Sequence, residues 1–151
     1  MPKFHDAHDT PWTIELTVAS IKSIRRLADV DLLRLDEGDP PLITRLSTDP
    51  VLLCDVVFAA CAAQAQERGI TDEDFGRAMG GDALAAAHAA LTGALTDFFR
   101  QWGRPDLARM MDAHAALIRQ AIDQAATNAQ ALTGGAQSTN SPESPASTPT
   151  V

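Results

Sequence analysis

The densest group of side chains able to do chemistry lies near the N-terminus, where the run HDAHD places His5, Asp6, His8 and Asp9 together. Imidazoles and carboxylates at that spacing could share one divalent cation. A structural zinc site closes with four protein ligands, however, and no second cluster with suitable spacing follows, so the plain reading is a solvated turn and no metal. His88 and His114 each fall on an apolar helical stripe. A histidine so placed serves more often as a core or boundary residue than as a base or pH sensor.

Cys54 and Cys61 lie about 10 Å apart along one helix at roughly 1.5 Å per residue, beyond the reach of a disulfide. They read as small buried hydrophobes in a reducing compartment. No Ser or Cys motif marks a nucleophile, and neither GxxxxGK[ST] nor GxGxxG occurs, so no cofactor is expected. Asp72, Glu73 and Asp74 occupy a first helical turn, where the helix dipole favours negative charge. That structural cause is sufficient without paired-carboxylate catalysis. Asp55 interrupts an otherwise apolar helix and would need a partner if buried, from Arg25, Arg26 or a backbone donor.

Lys22, Arg25 and Arg26 form the densest basic patch, on one helix face that an acidic partner could meet. Residues 71–99 have the outline of a helix-turn-helix. The would-be recognition helix, DALAAAHAALTGALTDFF, carries no Lys or Arg, which excludes the usual phosphate and guanine contacts. Phe98, Phe99 and Trp102 crowd the end of that helix, and Met110 and Met111 follow just beyond a break. These five are the candidate partner-binding residues, an adaptable apolar docking surface set against ordinary core packing.

The elements that must position these groups are read from periodicity. Trp12, Ile14 and Leu16 alternate with Thr13, Glu15 and Thr17 as in a half-buried strand, and the segment around Phe4 folds back through a turn to make a hairpin over about 3–17. Helices follow from residue 18. Val18, Ile21, Ile24 and Leu27 mark the apolar face of the first, with Thr17 as its cap. LDEGDPP at 35–41 is a breaker loop, after which Leu42–Leu46 makes one or two helical turns. Asp49 and Pro50 start a central core helix that runs to Arg68 and ends at Gly69. Thr71 and Asp74 make a capping box for a short helix through Met79. Asp82 caps a longer one whose stripe is Leu84, His88, Leu91, Leu95 and Phe98. Pro105 begins the last, with Leu107, Met111, His114, Ile118 and Ile122 on one face. The Ser, Thr, Pro and Gly tail from 133 to 151 is expected to be disordered.

With 151 residues, 45% hydrophobic, 5% aromatic and no Tyr, the composition favours a mainly α fold. One helical domain over 1–132 matches the length prior. The net charge of -8 repels phosphate backbones and anionic lipid, so neither nucleic acid nor membrane is expected as a partner. The lack of a signal-peptide core points to the cytoplasm.

The segments WTIELTVASIK at 12–22, DVDLL at 29–33, DPVLLCDVV at 49–57, DEDFGRAM at 72–79, GDAL at 81–84 and DFF at 97–99 resemble, in their order, the phage tail assembly chaperones. The resemblance covers roughly residues 4–102. It implies a non-enzymatic, phage- or prophage-encoded protein that holds the tape-measure protein soluble while tail-tube subunits assemble around it, in the host cytoplasm. The segment LTGAL before Asp97 departs from the carboxylates expected there, and the family supplies no catalytic residue. The alternative from another class is a small helical enzyme, or a metal or pH sensor, using His5 and His8 or His88 and His114.

Overall fold

The alternation around Trp12 does fold back on Phe4. Strand β1 (Lys3–His5) pairs antiparallel with β2 (Pro11–Thr13), with Phe4 opposite Trp12. The Ile14 N–H donates to the Pro2 carbonyl at 2.9 Å, carrying the pairing one step past the strands. Phe4, Trp12 and Ile14 all point inward and are buried. This computed structural model describes residues 2–138. Among them the two strands are followed by seven helices, so the fold is mainly α with a short N-terminal hairpin.

Helix α1 (Val18–Ala28) begins at a capping box in which Thr17 Oγ1 accepts from the Ser20 N–H and Ser20 Oγ accepts from the Thr17 N–H, both at 3.3 Å. Its expected stripe is corrected. Ile21 and Ile24 are buried, but Val18 is 64% and Leu27 53% exposed. At about 100° per residue, positions nine apart lie about 180° around the helix, so one flat face cannot bury both ends of a run spaced by threes. The following loop is anchored by Leu32 and Leu35, both buried. It leads into α2 (Leu42–Thr48).

Asp49 caps α3 (Pro50–Ala60), accepting from the Val51 and Leu52 N–H groups at 3.1 Å. Expected as one helix to Arg68, this stretch is two. The Cys61 N–H is shared between the Val57 and Phe58 carbonyls at 3.0 and 3.1 Å, a local tightening toward three-residue turns. Helix α4 (Ala62–Arg68) then continues to Gly69, whose φ of 66° gives the left-handed end. Leu53, Val56, Val57 and Ala59 of α3 are buried, and α1, α2, α5 and α6 all pack against it, so it is the central core helix.

Helix α5 (Asp72–Arg77) opens with the Thr71–Asp74 capping box and stops two residues short of Met79. In α6 (Asp82–Gln101) the cap is Gly81, at φ 57° and ψ −125°, and not Asp82, which is already the first helical residue. The buried face of α6 is also rotated from the expected one. Ala83, Ala87, Ala90, Leu91, Ala94, Leu95 and Phe99 are buried, while Leu84, His88 and Phe98 are only half-buried. The four alanines let the backbone approach its neighbours closely, with Leu91, Leu95 and Phe99 buried among them and Leu84, His88 and Phe98 at the flanks.

Helix α7 (Pro105–Ser138) buries Ala108 and Met111, whereas Leu117, Ile122 and Leu132 are exposed. The rest of the Ser/Thr/Pro tail, 139–151, lies outside the described residues. The described residues divide into two units, one ending at Met111 and the other beginning at Asp112, with the boundary inside α7. No helix among the described residues is long and apolar enough to cross a membrane.

Candidate docking groove

The N-terminal cluster is not a set of free ligands. Asp6 is 9% exposed and accepts three hydrogen bonds. The His8 and Thr10 N–H groups donate to Oδ1 at 2.9 and 3.0 Å, and Trp12 Nε1 donates to Oδ2 at 3.0 Å. Burial pushes the Asp6 carboxyl up, but the donors from Trp12, Thr10 and His8, with the charge of His8, outweigh it and hold the group below the usual carboxylate range. Asp6 is thus the knot of the hairpin turn, and the expected solvated turn is corrected at this residue. His5, His8 and Asp9 are exposed. Among the described residues no three His, Cys, Asp or Glu side chains gather to hold a metal ion.

Around this knot Trp12 is fixed from several sides. Phe75 meets it edge-on at 5.1 Å between centroids, and the Arg68 guanidinium lies 4.6 Å over its ring. Gln64 clamps the free edge of β2, accepting from the Thr13 N–H at 3.1 Å and donating to the Thr13 carbonyl at 2.6 Å.

Cys61 is buried and Cys54 half-buried, both as free thiols. Burial pushes Cys54 up to about 11, helped by the charges of Asp55 and Asp72, and pushes Cys61 up to about 12 against the opposing charge of Arg68. Neither is an activated nucleophile. Asp55 is exposed and so needs no buried partner. It shares a 320 Å³ cleft with Cys54 and Asp72, and partial desolvation followed by the charges of Asp72 and Asp49 raises its carboxyl. His88 and His114 are half-buried. Burial lowers the His114 imidazole, and its Nε2 has no hydrogen-bond partner.

The five candidate partner-binding residues separate into inside and outside. Phe99 (0% exposed) and Met111 (2%) belong to the core and are not offered to a partner. Met110 and Phe98 are partly buried against that core. Trp102 alone stands out, at 51% exposed. It caps the end of α6, where the Gly103 N–H donates to the Arg100 carbonyl at 3.1 Å and the Arg104 N–H to the Phe99 carbonyl at 2.8 Å. That paired closure, with Gly103 at φ 82°, is a Schellman motif and fixes the backbone on either side of Trp102. Phe98 supports its ring at 6.2 Å and Arg104 lies 5.5 Å over it.

Phe98 and Trp102 form one wall of a groove of about 540 Å³ whose other wall is the start of α1. Leu16, Val18, Ile21 and Leu33 give it an apolar lining, to which Lys22 and Arg25 add the charged groups. Arg25 is tied to Asp31 at 2.9 Å. Lys22 is exposed, and no Asp or Glu lines the groove. The volume lies within the roughly 300–1,000 Å³ typical of binding clefts. Of the groove's residues, sequence reasoning reached Phe98, Trp102, Lys22 and Arg25 but not Leu16, Val18 or Leu33 as their companions. The exposure of Val18 comes from the helical drift described above, and that arithmetic is the signal that could have found it. Set beside known protein families, curated proteins and solved structures, the chain matches none of them.

Proposed function

We propose that this chain is a non-enzymatic docking protein that shields an apolar segment of a protein partner in the groove between α1 and α6. Taken with the sequence resemblance, the same reading makes it a phage or prophage tail assembly chaperone whose partner is a tape-measure protein in the host cytoplasm. The observation that carries the reading is Trp102, half exposed, lining the groove together with Val18 and backed by the Phe98 ring. A large aromatic anchor at the mouth of an apolar cleft is the usual centre of an interface, and its remaining exposed area stabilises a complex by about 25 cal/mol for each Å² covered.

The test is co-expression with the tape-measure gene of the same tail cluster. The partner should be recovered soluble and in complex with this chain, and Trp102→Ala should reduce that recovery without lowering the melting temperature. A tape-measure protein equally insoluble with and without the chain overturns the chaperone reading.

A further inference from the structure

The groove has a polarity that the rest of the chain does not share. The protein carries 20 Asp and Glu against 12 Lys and Arg. Yet the two charged residues lining the groove are Lys22 and Arg25, both cations. Asp31 offsets Arg25 through its ion pair at 2.9 Å, but among the described residues Lys22 has no ion pair, so the groove keeps a positive charge beside its apolar lining. Both walls are helix ends, and Val18 and Ile21 on one with Phe98 and Trp102 on the other present side chains at three- and four-residue steps. Such a surface takes the ridge of a further helix laid into it.

Resting on the docking reading above, we infer that the occupant is an amphipathic helical segment of a partner protein whose apolar ridge is flanked by carboxylates. Its apolar side chains enter against Phe98, Ile21 and Trp102, and a Glu or Asp on its flank meets the Lys22 ammonium. A basic amphipathic helix, attracted to the acidic chain as a whole, would be repelled at this site. Local charge at a rim sets orientation and partner choice more than total affinity.

The probe is a pair of synthetic helical peptides of about 18 residues, identical in a leucine ridge at i, i+3, i+4 and i+7, one flanked by Glu and the other by Lys. Binding to the full chain is followed by calorimetry and by tryptophan emission. Because Trp12 is 1% and Trp102 51% exposed, an emission change reports the groove. The Glu peptide should bind about tenfold more tightly than the Lys peptide, a preference that shrinks with added salt. Lys22→Glu, at an exposed position and checked to melt like the parent, should reverse the order. Equal binding of both peptides, or an order unchanged by Lys22→Glu, overturns the acidic-flank inference while leaving an apolar docking site. If neither peptide binds, or if the bound Glu peptide leaves the emission unchanged, the groove is overturned as a docking site for helices altogether.

Discussion

Replacing Asp6 by alanine takes away the acceptor of three donors at once, and the structure separates their costs. The His8 and Thr10 N–H groups, bound at 2.9 and 3.0 Å, are partly open to water, which can satisfy the donors but does not replace the charge-assisted bonds that hold the turn. Trp12 Nε1 cannot be rescued in the same way, because Trp12 is 1% exposed and its 3.0 Å bond to Asp6 is buried. An orphaned buried donor costs about 1–3 kcal/mol, and losing the charge-assisted turn bonds adds a further amount of similar size, so Asp6→Ala should destabilise by about 3 kcal/mol. At about 3 °C per kcal/mol for a domain of this size, Tm should fall by about 10 °C. Asp6→Asn tests the chemistry more sharply. Its oxygen can still serve His8 and Thr10, but its amide then opposes the Trp12 N–H, donor against donor. The asparagine variant should therefore remain well below the parent in Tm. In a Trp12→Phe background, which lacks the donor, Asp6→Ala should cost about 1–2 kcal/mol less.

The same carboxyl titrates below its ordinary value. Its contribution is thus fully present above the unfolded carboxylate pKa of about 3.9 and disappears as pH falls through the lower folded value. The acid limb of Tm against pH should be shallower in Asp6→Ala than in the parent. Thermal melts by circular dichroism from about pH 2 to 7 read all of this. An Asp6→Ala protein melting within about 1 °C of the parent at neutral pH would refute the reasoning.

In α7, Met111→Ala should cost about 2–5 kcal/mol in urea unfolding and Ile122→Ala less than about 0.5, because Met111 is 2% and Ile122 62% exposed; equal costs would show that the buried part of the helix has been misplaced. With its pKa pushed up to about 11, Cys54 should react with iodoacetamide at pH 8 far more slowly in the native protein than in urea, and Cys61, pushed up to about 12, more slowly still; prompt native labelling would contradict the burial of both thiols. Zinc added in excess to the untagged protein should leave Tm unchanged, since Asp6 is engaged by three donors and no three metal-ligating side chains gather among the described residues; a saturable rise in Tm would revive the metal-sensor alternative.

Local chemistry was the legible part of this fold. Thr17, the Asp49–Pro50 pair and the Thr71–Asp74 box each act within three residues, and each caps the helix that the sequence assigns to it. The hairpin was readable for a similar reason, because the alternation around Trp12 needs a neighbour and Phe4 is the nearest apolar residue upstream. Buried faces were less legible. In α6 the expected stripe holds at Leu91 and Leu95, but Leu84, His88 and Phe98 are only half-buried, and the helix buries Ala83, Ala87, Ala90 and Ala94 instead. Residue size misleads where close approach of backbones matters more than side-chain area. The role of Asp6 is missed when the whole His5–Asp9 cluster is read as a solvated turn. A buried tryptophan N–H requires an acceptor, and an aspartate two residues before an exposed turn position is a ready one; together they are the signal. The groove joins residues 16–33 to 98–102, and no local rule links segments so far apart.

Two tryptophans in opposite environments allow the docking claim to be tested without disturbing the protein. With both labelled as 5-fluorotryptophan, the chain gives one fluorine signal from buried Trp12 and one from half-exposed Trp102. Formation of the complex with the co-expressed tape-measure protein should shift and broaden the Trp102 signal and leave that of Trp12 in place. A complex in which the Trp102 signal stays at its free position would contradict the account, because the partner would then be held somewhere other than the groove.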